Sequence, residues 1–252
     1  MIGICLCGAR GRMGTRLAEL IGQEKDLRLS SALERPGHAE LGREVAAGVR
    51  LTEEAEAAMA AAEVVLDFSL AGGLEERLRL AARLGKPYVT GVTGLSAPQK
   101  EELRRAAERI PLLWSSNMSR GVWAVGKLLE QVLRLLPECD VEIFEIHHAG
   151  KADSPSGTAL QLAETAKKVR AGESVYGRQA KRRPAEVGIA SARGGDVVGE
   201  HQVLLLAPGE QVILTHRATS RDHFCRGALE AVRFVARAAP GLYTMDDVFQ
   251  GA

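Results

Sequence analysis

Residues 145–160 hold the side chains of this chain that are best suited to proton exchange and anion binding. Two adjacent histidines, His147 and His148, are followed by Lys151 and by a Ser-Gly-Thr turn at 156–158. Histidine exchanges protons near neutral pH, and lysine supplies positive charge. A helix that begins at the turn offers backbone N–H groups to an anion. The segment therefore predicts a site for an acidic small molecule that gains or loses a proton.

The two histidines follow a strand-like run, so we expect their side chains to diverge and to do different jobs. One would exchange the proton, while the other would anchor the substrate or pack into the fold. A metal site that also uses Asp153 is an alternative, but zinc needs three or four converging ligands. The other histidines are scattered along the chain, so we predict no metal; they are His38, His201, His216 and His223.

The first 118 residues alternate between strand-like and helix-like patterns. This rhythm predicts an α/β domain, a parallel sheet with helices on both faces. Strands are predicted at 2–7, 27–33, 64–68, 87–90 and 112–114, and helices at 11–23, up to Met59, at 74–84 and at 97–109.

The rhythm changes after this region, which predicts a second domain of the α+β class. Its segment 171–184 is rich in Gly, Arg and Lys and is interpreted as a loop. Residues 207–210 are interpreted as the turn of a hairpin. Helices are predicted at 122–136, 157–170 and 221–238, and strands at 141–146, 197–206 and 210–217.

A glycine motif, Gly8, Gly11 and Gly14, lies between the first predicted strand and helix. Glycines at such a turn let the backbone approach a pyrophosphate, which then lies at the helix N-terminus. Arg10 takes the place of the middle glycine of the usual G-x-G-x-x-G pattern. A turn that is glycine-rich for packing reasons alone is the other interpretation.

Glu34 ends the second predicted strand, 20 residues after Gly14. An acid at this place accepts hydrogen bonds from ribose hydroxyls, which favours NADH. Arg35 follows and could bind a 2′-phosphate, which allows NADPH as well. Two solvated loop residues would be the alternative. Two small, polar loops at later strand ends could line a nicotinamide ring or be plain turns, with Asn117 as a helix N-cap.

Composition excludes several classes of protein. The chain has 252 residues, 46% of them hydrophobic and 26% charged, as in ordinary folded domains. A net charge of +1 gives no general attraction to nucleic acid or anionic membranes. No apolar run is long enough to span a bilayer, and four cysteines are too few for a disulfide scaffold. We expect a cytoplasmic protein with reduced thiols.

These motifs together resemble the 4-hydroxy-tetrahydrodipicolinate reductase (dihydrodipicolinate reductase) family over essentially the whole chain. The most specific part is His-His-x-x-Lys followed by Ser-Pro-Ser-Gly-Thr-Ala. The resemblance also rests on Gly8 to Gly14, Leu33-Glu34-Arg35, Asp67-Phe68-Ser69, Gly91 to Gly94, Ser116 to Val122 and the ending Gly241 to Val248.

The resemblance implies a Rossmann-type dinucleotide-binding domain, residues 1–118 with 221–252, and an inserted α+β domain for substrate binding and tetramerisation, residues 119–220. The implied reaction is NAD(P)H-dependent reduction of 4-hydroxy-tetrahydrodipicolinate, through dihydrodipicolinate, to tetrahydrodipicolinate in lysine and diaminopimelate biosynthesis. The expected partners are a small dicarboxylate substrate and three further copies of the chain in a homotetramer.

The resemblance also assigns roles to residues. His147 and Lys151 match the family's proton-transferring residues, and the substrate contacts match His148, Gly157 and Thr158. The cofactor contacts match Gly8, Ala9, Arg10, Gly11, Arg12, Met13, Glu34, Arg35, Gly91, Val92, Thr93, Ser115, Ser116, Asn117 and Met118.

The chain departs from the family at a few positions. Many members have a smaller residue at Arg10 and phenylalanine at Met118, and some carry extra basic residues at 149–150. Two other functions stay open on the residues alone. One is a different NAD(P) oxidoreductase acting on an amino-dicarboxylate, and the other is a redox-sensing DNA-binding regulator, which the neutral charge disfavours.

Overall fold

The computed structural model describes residues 1–250 and divides into two compact units. The first unit comprises Met1–Met118 and Phe224–Ala252, and the second comprises Ser119–His223. Within residues 1–250, no helix combines the length and apolar character needed to cross a membrane.

The first unit contains alternating strands and helices. Its strands are β1 (Ile2–Cys7), β2 (Leu27–Leu33), β3 (Glu44–Ala46), β4 (Val49–Thr52), β5 (Val64–Asp67), β6 (Tyr88–Thr90), β7 (Pro111–Trp114) and a last strand, Gly241–Tyr243. Its helices are α1 (Arg12–Ile21), α2 (Ala55–Ala60), α3 (Leu74–Leu84), α4 (Ala97–Ala107), most of α7 (Asp222–Val235) and α8 (Met245–Gln250).

The second unit contributes five strands and two whole helices. The strands are β8 (Asp140–His147), β9 (Glu173–Tyr176), β10 (Glu186–Arg193), β11 (Gly199–Ala207) and β12 (Glu210–Ala218), so that Gly241–Tyr243 becomes β13. The helices are α5 (Arg120–Leu135) and α6 (Gly157–Val169).

The sheet of the first unit has eight strands in the order β13-β7-β6-β5-β1-β2-β4-β3. Its neighbours pair in parallel except for the antiparallel β3–β4 hairpin. The central strands β1 and β5 are nearly continuous apolar runs because both of their faces are buried. Both strands end at the same edge of the sheet, at Cys7 and Asp67, which brings the following loops together.

The sheet of the second unit is mixed, in the order β12-β11-β8-β10-β9. Strand β8 pairs in parallel with β10 and antiparallel with β11. Helices α5 and α6 pack on one face, where Leu129 and Leu162 join Ile143 and Val203 in a buried core. We call this the helix-covered face. Side chains alternate along β8, so Val141, Ile143, Glu145 and His147 all point to it.

The predicted fold class, a Rossmann-type parallel sheet with a second α+β domain, is confirmed. Most predicted elements agree with the structure to within a few residues, and α3 matches its prediction of 74–84. The loop predicted at 171–184 is wrong in part, because β9 lies within it, and β10 was missed altogether. Small residues give β10 a weak strand signal. A Cβ on Gly188 would lie 1.7 Å from the Glu142 carboxylate of β8, so a larger residue there would require that side chain to move.

Candidate active site

The glycine motif of the first unit forms the tight turn between β1 and α1. Gly8 has a φ of +76°, a conformation that favours glycine. A Cβ on Gly14 would lie 2.1 Å from the Gly8 carbonyl oxygen and 2.8 Å from the Ala9 Cα, so only glycine fits there. Gly11 and Arg12 are exposed where the helix begins. This arrangement leaves the N-terminus of α1 open to an anion, as a dinucleotide-binding turn requires.

Arg10, the unusual residue of the motif, is directed onto the segment that precedes β4. Its Nε lies 2.7 Å from a Glu40 carboxylate oxygen, and its Nη2 donates to the Glu44 carbonyl oxygen at 3.2 Å. Its backbone N–H donates to Glu34 Oε2 at 3.2 Å. The guanidinium is therefore held by its own unit, and the link to Glu34 ties the glycine turn to the end of β2.

A cavity of about 720 Å³ opens beside this turn and is lined by Gly8, Glu34, Arg35 and the segment 69–73, among others. Its volume lies in the range of small-molecule sites. Glu34 is half-buried, and within residues 1–250 its two oxygens accept from the backbone N–H groups of Arg10 and Arg35 alone. Lone pairs of the carboxylate remain for further donors such as ribose hydroxyls. Arg35 is exposed at the rim.

A buried polar cluster supports one wall of this cavity; its Asp67 and Ser69 belong to a motif of the resemblance, but the sequence did not predict their role. The fully buried Asp67 accepts hydrogen bonds from Arg77 Nε at 2.9 Å and from the Tyr88 hydroxyl at 2.5 Å. It also accepts from the Ser69 N–H at 2.9 Å. Arg77 extends to the Leu70 carbonyl oxygen at 2.9 Å, which fixes the loop after β5. Burial raises the pKa of the Tyr88 hydroxyl well above its ordinary value, so it stays a donor.

The two loops predicted near the nicotinamide lie after β6 and β7. Gly91 packs on the Phe68 ring, where a Cβ would be 2.2 Å from Cε1. The Val92 side chain belongs to the core of the first unit, so only its backbone could contact a ligand, whereas Thr93 is exposed.

The second of these loops, residues 115–118, is a compact turn. Ser115 Oγ donates to the Asn117 carbonyl oxygen at 2.6 Å, and the Met118 side chain is buried. The alternative interpretation of Asn117 as a helix cap is wrong, because Ser119 caps α5 and accepts from the Val122 N–H at 3.2 Å.

In the second unit, strand pairing assembles a polar cluster on the helix-covered face at the end of β8. Glu145 stands opposite Ser191 of β10 and His201 of β11 in the sheet register. His147 stands opposite Arg193. Three residues that are 44 or more positions beyond His147 in the chain thereby surround it. His201, which is far from His147 in the sequence, is brought next to it by the antiparallel β8–β11 pairing.

Glu145 is the centre of the cluster, with a side chain that is 0% exposed. Its Oε1 accepts from the Ser156 N–H at 3.0 Å, Ser191 Oγ at 2.7 Å and Arg193 Nη2 at 2.9 Å. Its Oε2 lies 3.0 Å from His147 Nδ1. Although burial alone would raise it, the neighbouring His201 and these hydrogen-bond donors hold the pKa of Glu145 far below its ordinary value. Glu145 is therefore a buried carboxylate anion.

His147 is nearly buried, and one edge of its ring faces Gly199. A Cβ on Gly199 would lie 3.0 Å from His147 Nε2, so the glycine keeps space beside that nitrogen. Burial lowers the pKa of His147 from 6.5 to about 4, although the negative charge of Glu145 acts in the opposite direction. At neutral pH His147 is a neutral imidazole that can accept a proton.

His148 and Lys151 lie in the loop that follows β8. The Lys151 N–H donates to the His148 carbonyl oxygen at 3.1 Å, which forms a turn. Lys151 Nζ contacts both oxygens of Asp153, at 2.7 and 2.9 Å. Lysine and aspartate thus form an ion pair at the edge of the cluster, and the lysine side chain is 20% exposed. A substrate carboxylate could replace Asp153 as its partner.

The Ser-Gly-Thr turn begins helix α6, as predicted. Ser156 is the N-cap residue, and its Oγ accepts from the Ala159 N–H at 3.2 Å. The same Oγ lies 2.9 Å from His201 Nε2. Gly157 is exposed and Thr158 half-buried at the start of the helix. A helix N-terminus has a partial positive charge and N–H groups without an intrahelical acceptor, which suits a carboxylate.

Comparison with known proteins decides the family. The sequence family "Dihydrodipicolinate reductase, N-terminus" matches residues 2–118, and its C-terminal counterpart matches residues 121–249. The chain belongs to the dihydrodipicolinate reductase family. The reductase from Syntrophobacter fumaroxidans, called 4-hydroxy-tetrahydrodipicolinate reductase, is 41% identical over 98% of both chains. That from Aromatoleum aromaticum is 41% identical over 97% of this chain and 94% of its own.

Solved structures agree in fold. A dipicolinate-bound dihydrodipicolinate reductase from Paenisporosarcina sp. TG-14 covers 99% of both chains with a TM-score of 0.83 at 22% identity. GenD2 from gentamicin A biosynthesis, in complex with NAD, covers 98% of this chain with a TM-score of 0.67 at 15% identity. The resemblance drawn from the motifs is confirmed. The chain is an oxidoreductase whose first unit is a Rossmann-type nucleotide-binding domain.

The reductase brings most residues that we predicted by motif into two groups, one in each unit. Sequence reasoning missed Glu145, Ser191, Arg193 and His201 as members of the second group. Glu145 could have been noticed, since it lies two positions before His147 and must share its face in a strand. Ser191 and His201 carry no such local signal.

The cluster also bears on the prediction that no metal is bound. Glu145, His147 and His201 each offer a ligand atom, and these atoms lie within 4.8 Å of one another. In this reductase, however, Arg193 already supplies positive charge to the same carboxylate, and the Ser156 hydroxyl is bonded to His201. Cationic neighbours oppose a divalent ion at this place. The absence of a metal stays a prediction.

Proposed function

We propose that this reductase uses NADH or NADPH to convert 4-hydroxy-tetrahydrodipicolinate, through dihydrodipicolinate, to tetrahydrodipicolinate in the lysine and diaminopimelate pathway. The observation that carries the proposal is the cluster at the end of β8. There the neutral, buried imidazole of His147 lies 3.0 Å from the carboxylate anion of Glu145, close to Lys151 and the N-terminus of α6. This combination suits a small dicarboxylate substrate that takes up a proton at carbon during the reaction. The relatives named for this activity support it over nearly their full length.

We assign the cofactor to the first unit. The reduced nicotinamide supplies a hydride when bound. The glycine turn is expected to contact the pyrophosphate with its backbone N–H groups, and Glu34 the adenosine ribose. The absence of room for a Cβ at Gly14 supports this fit, because it keeps the backbone of the turn accessible. The proposed contacts are residues 8–13, Glu34, Arg35, 91–93 and 115–118.

We assign the substrate and the proton step to the second unit. Hydride addition to the conjugated C=C–C=N system of the substrate leaves an enamine anion, which takes up one proton at carbon. Lys151 carries a proton at Nζ and is our candidate for the donor, and His147 accepts and returns protons at Nε2. His148, Gly157 and Thr158 are the proposed carboxylate contacts. General acid catalysis of this kind contributes about 10²–10⁴-fold to a rate.

The decisive experiment follows NADPH absorbance with substrate generated enzymatically in the same cuvette. We expect reduction by the wild-type reductase and a fall of about 10²–10⁴-fold in kcat for Lys151→Met. Cofactor affinity should not change. Lys168→Met, an exposed lysine in α6, is the matched control. Near-normal turnover of Lys151→Met would refute the role of Lys151. No reduction by wild type, with reversible oxidation of an amino-dicarboxylate instead, would refute the proposed function.

A second experiment tests dual cofactor use. We expect comparable kcat/KM values for NADH and NADPH. Glu34 offers a hydrogen-bond acceptor to the ribose hydroxyls of NADH, and Arg35 offers hydrogen-bond donors to the 2′-phosphate of NADPH. Arg35→Ala should lower kcat/KM with NADPH and leave that with NADH nearly unchanged. A wild-type preference above about a thousandfold, roughly 4 kcal/mol, would rule out dual use.

We also propose that the reductase is a homotetramer assembled through the second unit. The sheet face opposite α5 and α6 carries apolar residues, among them Phe144, Leu204 and the 48% exposed Ile213. A second copy of the chain could cover this face. Light scattering should give about four times the chain mass of 27.0 kDa. Ile213→Glu should reduce that mass, and a monomeric wild type would refute the proposal.

A further inference from the structure

Glu145 makes contacts with both halves of the proposed substrate site. Through Oε1 it holds the Ser156 N–H at 3.0 Å, at the start of α6. Through Oε2 it lies 3.0 Å from His147 Nδ1, at the end of β8. One buried side chain therefore connects the imidazole with the helix N-terminus that we assign to carboxylate binding.

The surroundings hold this carboxylate in a single orientation. Three donors converge on Oε1, from Ser156, Ser191 and Arg193. Oε2 instead faces the rings of His147 and His201, whose centroids are 5.0 Å apart, with His201 Nε2 at 3.6 Å. A carboxylate that is fixed at one oxygen has a defined direction at the other, as preorganised sites require.

The contact at Oε2 differs from an ordinary structural hydrogen bond. Glu145 Oε2 and His147 Nδ1 are both buried, and neither makes an aligned hydrogen bond within the described residues. At 3.0 Å the carboxylate lies off the direction of the ring N–H. Its effect on the ring is therefore mainly electrostatic, and it is strongest when the imidazole carries a proton.

We propose that Glu145 is a positioning residue for the reductase reaction, which fixes the Nδ1–H tautomer of His147 and its spacing from the N-terminus of α6. With the proton on Nδ1, close to the anion, the lone pair of Nε2 lies on the side kept open by Gly199. His147 then takes a proton at Nε2, and Glu145 stabilises the imidazolium that results. The part of this inference that concerns the reaction rests on the proposed function. The tautomer of His147 and its distance from the N-terminus of α6 do not depend on it.

Glu145→Gln is the sharpest perturbation, because the amide has nearly the same shape. The three donors at Oε1 retain an oxygen acceptor, which places the amide NH₂ group at Oε2, facing His147 Nδ1. An NH₂ group at this place disfavours a proton on Nδ1, so we expect the ring proton to move to Nε2. We expect a fall in kcat of about 10²-fold or more. The Kd for NADH should be unchanged, since the cofactor is assigned to the other unit.

The matched control is Glu142→Gln on the same strand, whose side chain lies on the opposite face and pairs with Arg178 at 2.9 Å. We expect its kcat to stay within about threefold of wild type, because alternate residues of a strand face opposite sides and this carboxylate does not face His147. Both variants should bind NADH as the wild type does.

Nitrogen-15 NMR of the histidine rings of the substrate-free protein tests the inference without any activity. We expect Nδ1–H for His147 in wild type and in Glu142→Gln, and Nε2–H in Glu145→Gln. An Nε2–H tautomer in wild type would overturn the proposal even if Glu145→Gln did not fold. An unchanged tautomer and turnover in Glu145→Gln would also overturn it. If the wild type did not reduce the substrate, the proposed function would be refuted. The tautomer measured by NMR would still show whether Glu145 sets the protonation of the His147 ring.

Discussion

Replacement of Arg77 by methionine should destabilise the first unit more than any exposed arginine does. The Arg77 side chain is 15% exposed and pairs at 2.9 Å with Asp67, which is 0% exposed. Methionine keeps most of the apolar volume but leaves the buried carboxylate without its cation. Removal of one partner from a buried ion pair costs about 3–5 kcal/mol.

Two smaller contributions act with the ion pair. Arg77 also donates to the Leu70 and Gly72 carbonyl oxygens, but these contacts are exposed, so water can replace the donor. Hydrogen bonds of this type contribute about 0.5–1.5 kcal/mol each. The ion pair therefore dominates. For a chain of this length, a loss of about 3–5 kcal/mol lowers Tm by roughly 6–20 °C.

Urea unfolding followed by tryptophan fluorescence measures this effect. The chain has two tryptophans, Trp114 in the first unit and Trp123 in the second, so a Trp123→Phe background reports on the first unit alone. Arg83→Met is the control in the same helix, because Arg83 is 63% exposed and pairs with Glu56, which is 66% exposed. We expect it to cost less than about 1 kcal/mol.

The outcome also bears on the cofactor cavity. Arg77 fixes the segment 69–73 that lines this cavity, so Arg77→Met should weaken NADH binding as well. The double variant Arg77→Met with Asp67→Asn should recover part of the stability, because no charge is then left unpaired. If Arg77→Met cost no more than Arg83→Met, the reasoning that Arg77 and Asp67 form a stabilising buried pair would be refuted.

Further outcomes follow from the same contacts. Gly14→Ala would place a methyl group 2.1 Å from the Gly8 carbonyl oxygen, so we expect a lower Tm and a large loss of NADH affinity by calorimetry. Gly126→Ala in α5 has open space and should raise Tm slightly; equal effects of the two would contradict the packing argument. The pKa of His147 falls from an ordinary 6.5 to about 4 on folding, so only the unfolded chain takes up this proton between those values. The protein therefore loses stability as the pH falls from 6.5 towards 4. The charged and titratable groups that surround the ring and act on this pKa are Glu145, His201, Lys151 and Arg193. His147→Asn should show a smaller drop in Tm between pH 7 and pH 5, and an identical drop would exclude this contribution.

Much of the fold could be read from local patterns. Strands β1, β2 and β5 are apolar runs of standard length, and α3 lies between Gly73 and Gly85, which both adopt positive φ. Such signals depend on neighbours in the chain, which is why α3 was predicted to the residue. Strand β10 could not be found in this way, because its small residues become a strand only when β8 and β9 supply hydrogen bonds on both sides.

The sequence by itself determined the chemistry of this reductase: the glycine turn, the acid and arginine after β2, and the histidines, lysine and helix start at 147–158. These are short motifs whose residues are near one another in the chain. Only the tertiary structure decided what surrounds His147. Ser191, Arg193 and His201 reach it through strand pairing, and Glu145 meets them because alternate residues of β8 share the helix-covered face. Register between distant strands is set by burial of whole faces, and no local pattern encodes it.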